Sequence, residues 1–575
     1  MGGEAGMGQT EPELLRIEFK NTSTPVEGCD ILPYVVMRMP NGDVKSSDTL
    51  DNSPGGPLGL QYRWFSCSQL YACSNRNCRL PAKLQFSVPY RLMDENKSMA
   101  AKVLPETFFC SRTCFEESWA RLRWIQAREK LQNGGESVAE GEGRGDKALV
   151  ADLDDLLRTV AIGFNKVVQD PETNPIQKKE VGWSRSYTPG KDQIGQVLHL
   201  VCRYEHRLAK GEVKIGPPLV AESRSVIAAP APPPERLMVN VFTRELYTAL
   251  VRWGNTSGTF RVISYNCLAE IYTTPQHFPW CPTWALAWTY RRQNLTRELQ
   301  GYCADVICLQ EVQADHFEEH FVPVLGSLGY QGVFKSKTRE EMGMKGKIDG
   351  CATFWLKRRF SVREHHDVEF DSAAYTRQLK DSRALKVLIK GNIGQLVVLD
   401  ELDGSGCTVI ANTHIYWDPD KSEVKVFQVD TFLEEIESLV NRLGEQTSVV
   451  FAGDLNSPPD SAVYELVSTG ALTRGIHDEI AQDTYSVLDS CRLSHGLSLR
   501  SSYTCIGSEP AYTNYTASFV GTLDYVWYSH ANLVCVAVLE VPEEKDILAD
   551  SERGMPNKRR SSDHVAVMAE FSRAK

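Results

Sequence analysis

The sequence predicts a layered α/β domain behind a smaller β-rich unit, and three observations carry that expectation. From Gly258 onward, apolar β-branched runs alternate with amphipathic stretches over about 315 residues, the rhythm of strands and helices stacked in layers. Many of those runs end in a carboxylate, an amide or an imidazole, so their polar groups share one rim. A proline-rich stretch, Ala228–Glu235 (AAPAPPPE), parts this region from what precedes it.

In the first region, ILPYVVMRM (31–39), LQYRWFS (60–66) and GQVLHLVCRYEH (195–206) have the alternation and β-branched content of strands. They are expected to form a small antiparallel β-sandwich in two parts, 13–66 and 181–227. Between the parts fall a cysteine-bearing insert (67–131) and a linker (132–180). Within that linker, Gln132–Asp146 is Gly- and Glu-rich and lacks apolar periodicity. A second linker (228–257) leads to the large domain, 258–575. There FRVISYN (260–266) reads as a strand ending in polar residues. Tyr290–Leu299 reads as an amphipathic helix closed by Gly301, and ADVICLQEV (304–312) as a buried strand. GCATFWL, GCTVIANTHIYW and TSVVFAGDLN repeat the strand-with-polar-end theme.

Composition bounds the function. The chain has 575 residues, and 63 basic against 74 acidic side chains give a net charge of −11. That excludes a wholly basic nucleic-acid coat, so a polyanion must be held locally by metal ions and basic patches. The 16 cysteines sit scattered through hydrophobic runs. They read as reduced thiols of a cytoplasmic or nuclear protein, not as a disulfide framework. No signal peptide, myristoylation motif or apolar stretch of membrane-spanning length is expected.

Five segments carry chemistry: SYNCLAE (264–270), LQEV (309–312), NTHIYWDP (412–419), FAGDLNSPPD (451–460) and SSDH (561–564). Glu311 follows a near-continuous apolar run, where an unpaired carboxylate is costly, and its hard oxygens suit Mg²⁺ or Mn²⁺. Asp454 and Asn456 stand two apart. In an extended chain they face one side, the first to take a proton or bind metal, the second to donate to a phosphate. His414 and His564 offer donors to phosphoryl oxygens. Asp524 and Asp563 add carboxylates, and Asn266 can orient Glu311 or a water. Taken singly, each is an ordinary turn or strand-end residue. Together they supply metal-assisted phosphodiester hydrolysis, with a carboxylate to activate water and no covalent nucleophile.

These segments, with CPTWALAWTYRRQNLTRE (281–298), DGCATF (349–354) and YTNYTASFVGTLDY (512–525), resemble the endonuclease/exonuclease/phosphatase superfamily. More narrowly, they are similar to the carbon catabolite repressor four deadenylases. The resemblance covers about Phe260 to Phe571. It implies two mixed sheets packed face to face and flanked by helices, a four-layer α/β sandwich. It implies Mg²⁺-dependent 3′→5′ removal of poly(A) from mRNA with release of AMP, by one or two ions, Mn²⁺ as a substitute. It also implies membership of a CCR–NOT complex in the cytoplasm, including processing bodies, or the nucleus. By that resemblance Glu311, Asp454 and Asp563 hold Mg²⁺, with Asn266 supporting Glu311. Asp454 alternatively activates the water. Asn456 contacts the scissile nucleotide, and His414 and His564 meet the phosphate, held by Asp524 and Asp563. Pro419 and Phe519 sandwich the terminal adenine, and Asn514 touches the nucleotide. Alternatives within the fold are a 2′,5′-oligoadenylate phosphodiesterase or a nucleotide phosphatase; a third is an inactive scaffold.

Two departures stand out. The loop KSKTREEMGMKGKIDG (335–350) displaces Glu340 and Glu341 from the usual acidic position and brings lysines that either track RNA phosphates or are merely solvated. Lys558-Arg559-Arg560 invites the same two readings. The N-terminal region is similar to plant-type members, whose zinc-binding segment recruits a partner deadenylase of the DEDD type. Of Cys67, Cys73, Cys78, Cys110 and Cys114, the last four have the spacing for one structural Zn²⁺. The segment 109–131 reads as a docking helix.

Overall fold

The computed structural model describes residues 11–19, 23–50, 58–67, 84–86, 107–109, 178–208, 212–241, 258–338, 348–377, 379, 381–473, 475–481, 483–549 and 553–574. Cys73, Cys78, Cys110, Cys114, Glu340, Glu341 and most of the segments 109–131 and 132–180 lie outside them. The chain divides into two units, Met1–Ala229 and Pro230–Lys575.

In the first unit, β1 (Glu13–Phe19), β2 (Pro33–Arg38) and β3 (Val44–Ser46) make one antiparallel sheet. β4 (Leu58–Cys67) is followed in the insert by a short antiparallel pair, β5 (Leu84–Phe86) and β6 (Thr107–Phe109). The second sheet joins β4 to β7 (Lys178–Gly182), β8 (Val197–Arg207), β9 (Val213–Ile215) and β10 (Leu219–Ser225). β4 and β8 run antiparallel from Leu58↔His206 to Cys67↔Val197, so the insert interrupts the sequence while its flanks return to one sheet. Ile31 and Val35 from one side and Trp64, Leu198, Leu200 and Cys202 from the other share a core. Two antiparallel sheets thus enclose one core. Cys67 is buried at the end of β4.

The second unit holds β11 (Met238–Asn240), β12 (Phe260–Asn266), β13 (Val306–Gln313), β14 (Tyr330–Ser336) and β15 (Asp349–Leu356). There follow β16 (Phe360–Glu369), β17 (Ile393–Glu401), β18 (Cys407–His414), β19 (Ser448–Asp454) and β20 (Leu499–Ser501). A small ribbon, β21 (Asn514–Tyr515) and β22 (Val520–Gly521), precedes β23 (Asp524–Ser529), β24 (Leu533–Leu539) and β25 (Val567–Arg573). One sheet has the order β11-β24-β25-β12-β13-β15-β14, the other β16-β17-β18-β19-β23-β20. Both are mixed, with β12 parallel to β13 and β18 parallel to β19.

Alternation along each strand builds the layers. Val262, Ile410 and Val450 point into a core between the sheets. Their neighbours Ile263, Tyr265 and Ile307 face outward to Leu295 and Leu299 of helix α1 (Trp288–Tyr302). Val409, Ala411, Val449 and Phe451 face outward from the other sheet. Against them helix α2 (Ser422–Leu443) lays Val426, Val429, Phe432, Leu433, Ile436 and Leu439, one helical stripe. Helix, sheet, sheet and helix are the four layers.

Three details differ from expectation. Helix α1 runs through Gly301 to Tyr302 and is closed by Cys303, whose φ of 49° takes the left-handed position that a glycine more often fills. Part of the expected linker 228–257 is sheet: Met238–Asn240 pairs with β24 from Leu539 to Ala537. The lysines at the start of the 335–350 loop are committed to ion pairs, Lys335 to Glu369 and the buried Lys337 to Asp349, rather than presented to solvent.

Candidate active site

The rim is assembled by strand register. His414, the last residue of β18, stands opposite Asp454, the last of β19, and Asp454 stands opposite Asp524, the first of β23. Three chemical groups thus end three neighbouring strands of one sheet. In the other sheet, Asn266 ends β12 opposite Gln310 of β13. Glu311 follows within a bulge, where pairing with β15 shifts between Leu309 and Val312. Its φ of 56° is left-handed, uncommon for a non-glycine residue, and the bulge re-aims its side chain.

Hydrogen bonds then join the two sheets. The Asn266 amide donates to Glu311 Oε1 at 3.2 Å and to Asp454 Oδ2 at 2.9 Å. Ala269 N donates to Glu311 Oε2 at 2.8 Å. His414 Nε2 lies 3.6 Å and His564 Nε2 3.7 Å from Asp454 Oδ2. The second nitrogen of His564, Nδ1, is 2.7 Å from Asp524 Oδ2. Asp524 thereby fixes the ring, leaving Nε2 to face Asp454. The dyad is His564 with Asp524; Asp563, adjacent in sequence, instead takes an amide hydrogen from Asn514 at 3.4 Å.

Charge is crowded here. Burial first, then the neighbouring Asp349, pushes the Glu311 carboxyl above its ordinary range. Burial and the facing Asp524 do the same to Asp454. Burial alone would depress the His564 imidazole, but Asp524, Asp454 and Asp563 outweigh it and hold the ring well above its usual value. Clustered carboxylates that resist ionising are what a divalent cation relieves. Asp454, Asp524 and His564 bring one ligand atom each within 4.8 Å of one another. One oxygen of Asp524 and one of Asp563 are buried without a hydrogen-bond partner. The carboxylate oxygens of Asp454 and Asp524 suit a hard divalent cation, with His564 beside them as a hydrogen-bond donor. Asp454 belongs both to this cluster and to the set expected from sequence.

Asn456 is placed differently from the extended arrangement read in the sequence. Its φ is 46°, its amide donates to Ile415 O at 2.9 Å, and its N–H donates to Asp454 Oδ1 at 2.9 Å. It closes a turn that holds Asp454. Asn514 is buried on β21, whose backbone bridges to His564. Pro419 and Phe519 lie on exposed loops, and Phe519, 43% exposed, is no core aromatic. Arg560 is buried, so it is not a solvated phosphate contact.

Several supporting residues went unassigned in the sequence reading. Arg291, fully buried on α1, donates to the carbonyls of Cys267 and Leu268 and to that of Ser561 at 2.5, 2.6 and 2.7 Å. One guanidinium pins the loop after Asn266 to the loop before His564. Ser562 donates to Asn266 O at 2.6 Å and accepts from His564 N at 3.1 Å. Beneath the rim, Gln310 donates to Asn412 Oδ1 at 2.8 Å, and Asn412 donates to Ala352 O at 3.1 Å, an amide link between the sheets. Asp349, paired with Lys337 at 2.5 Å, also accepts from Tyr272 at 3.0 Å. The available signal was position: each stands beside an assigned residue or inside one of the long unusual strings.

Residues 263–564 match the endonuclease/exonuclease/phosphatase family. Over 599 aligned residues the chain is 32% identical to carbon catabolite repressor protein 4 homolog 2 of Arabidopsis thaliana, covering 95% of this chain and 96% of that protein. It is 36% identical over 332 residues to the CCR4-Not complex 3′-5′-exoribonuclease subunit Ccr4 of Saccharomyces cerevisiae, covering 54% of this chain and 38% of the yeast protein. Among solved structures it is similar to ANGEL2, a 2′,3′-cyclic phosphatase, in complex with adenosine-2′,3′-vanadate; identity is 27%, coverage 59% and 98%, and the TM-score 0.48. With the strand-end residues and the long motifs lying inside the matched span, the chain belongs to the endonuclease/exonuclease/phosphatase family, in its carbon catabolite repressor 4 group.

Proposed function

We propose that the protein is a 3′→5′ exoribonuclease that shortens poly(A) tails by hydrolysis, releasing AMP, within a CCR4-Not type complex. The observation that carries this reading is the convergence of Asn266, Glu311, His414, Asp454, Asp524 and His564 at the ends of strands from two facing sheets. A Mg²⁺ ion held by the carboxylates of Glu311, Asp454 and Asp563 would neutralise phosphate charge. The chain's own part is then positioning. Asp454 stands where it can take a proton from an attacking water. His564, oriented by Asp524, and His414 present donors toward the same space, where charge develops on the phosphoryl oxygens. Pro419 and Phe519 supply exposed surfaces for the terminal adenine.

Cys73, Cys78, Cys110 and Cys114 are proposed to hold one Zn²⁺, checked by elemental analysis of the purified protein; a metal-free folded protein rejects the site. The N-terminal region is proposed to dock a second deadenylase, and the site of action is proposed to be the cytoplasm or nucleus. Among the described residues no helix is long and apolar enough to cross a membrane. The deciding experiment incubates the protein and Mg²⁺ with RNA ending in poly(A), with poly(U) RNA and with 2′,5′-linked oligoadenylate. Preferential shortening of the poly(A) substrate is expected. Preference for the 2′,5′ linkage, or no preference, would overturn the reading. Glu311→Ala should abolish cleavage while the protein keeps its circular dichroism spectrum.

A further inference from the structure

A second aromatic platform lies beside the catalytic rim. Trp417 follows His414 by three residues and precedes Pro419 by two, and its side chain is 63% exposed. A single exposed indole needs no explanation by itself; what marks this one is its place three residues from His414 on a loop tied to the rim. The loop beneath it is anchored on both sides. Tyr416 N donates to Gln428 Oε1 of helix α2 at 2.9 Å, and the Tyr416 ring lies 6.1 Å from that of Trp417. The Lys390 ammonium stands 4.9 Å above the Tyr416 ring. Two residues on, Asn392 donates to the carbonyl of His414 at 2.9 Å. A cation, a supporting ring and an exposed ring are thus tied to the backbone of a catalytic histidine.

We propose that Trp417 is a stacking platform for a base of single-stranded RNA upstream of the cleaved nucleotide, with Lys390 supplying positive charge for its phosphate. The proposal rests on the exoribonuclease reading above and extends it from the terminal nucleotide to the chain behind it. The chemistry favours a single strand: stacked bases are not free to use an indole face, whereas unstacked ones are. Base–aromatic stacking contributes about 1–3 kcal/mol per base and tolerates any base. A protein with a net charge of −11 must also gather its cations where the polyanion passes.

The test measures binding of 5′-fluorescein oligoadenylates of two and eight nucleotides to the full-length protein by anisotropy, in EDTA so that nothing is cleaved. The wild type should bind the octamer more tightly than the dimer. In Trp417→Ala that ratio should fall about tenfold, the equivalent of about 1.4 kcal/mol, and Trp417→Phe should restore most of it. Lys390→Gln should lower the same ratio and flatten its dependence on salt. An unchanged ratio in Trp417→Ala overturns the platform. So does an equal loss for dimer and octamer, which is what mere distortion of the site would give. Wild-type protein that binds the octamer but fails to shorten a poly(A) tail in Mg²⁺ would sink the exoribonuclease reading; the binding ratio would still decide Trp417.

Discussion

His564 shows how little freedom the site leaves its residues. Its backbone N–H is held by Ser562 and its Nδ1 by Asp524, so the ring cannot flip without breaking a charge-assisted hydrogen bond. Replacing Asp524 by Asn keeps the shape but offers the ring an amide with a donor face as well as an acceptor, and the wrong tautomer becomes accessible. Asp524→Asn should therefore lower kcat about 10²–10⁴-fold, the usual weight of a positioned acid–base group, with KM nearly unchanged. Steady-state kinetics on an adenylate-tailed RNA check it; a loss under about threefold would mean the dyad does not act in catalysis. Lys425 tests positioning rather than chemistry. Nine-tenths and more buried on α2, it donates to Asn456 O at 2.7 Å and so holds the turn that carries Asp454. Lys425→Met removes the donor and leaves a buried carbonyl short of a partner, a cost of about 1–3 kcal/mol. Both the melting temperature and kcat should fall, and Lys425→Arg should recover part of each. A variant with wild-type melting and turnover would show that the turn holds without it.

Between β18 and β19 the spacing itself is functional. Gly453 pairs with Thr413, and a Cβ at that glycine would stand 2.3 Å from the Thr413 carbonyl oxygen. Backbone must move to admit it. Gly453→Ala should push the strand ends apart one residue before His414 and Asp454, destabilising by roughly 1–3 kcal/mol as overpacking does and cutting activity further than that loss of stability explains. Thermal melts beside rates measured well below the melting temperature separate the two effects; full activity would mean that the strands part without moving the site. This contact was not legible in the sequence, where Gly453 is one glycine in FAGDLN. The strands themselves were, because buried runs such as VICL and SVVFA leave few other structures open. The polar residues at their ends were legible only as a set, since each taken singly is an ordinary turn or strand-end residue. What failed were local dihedral inferences. Asn456, expected to be extended beside Asp454, turns left-handed and donates its amide to Ile415 O. The bulge at Glu311 depends on where β15 stops pairing, a contact some 40 residues away in sequence.

The two units have separate cores, and every residue assigned to the site lies between Asn266 and His564, inside the second. A chain beginning at Pro230 should therefore fold and cleave RNA at a rate within about twofold of the full protein. Where that unit begins is a sharper question, because composition placed the boundary at Gly258. Residues before Gly258 complete its sheet. Met238–Asn240 pairs with β24, Val241 is buried in the core between the sheets, and Val241 N donates to Val536 O at 2.9 Å. Arg236 donates to the carbonyls of Glu540 and Ala566, each at 2.7 Å, and to the Tyr302 hydroxyl at 3.2 Å. Neither Arg236 nor a three-residue strand has a local sequence signal, since most of their partners lie some 300 positions later and the nearest, Tyr302, lies 66 later. A chain beginning at Gly258 loses burial of one valine, worth about 1.5–3 kcal/mol, and several hydrogen bonds at roughly 1 kcal/mol each. It also leaves the β24 edge unpaired. It should melt several degrees below the chain beginning at Pro230 and aggregate at lower protein concentration. Differential scanning calorimetry of the two at equal concentration decides it, and equal melting temperatures would return residues 230–257 to the role of a connector.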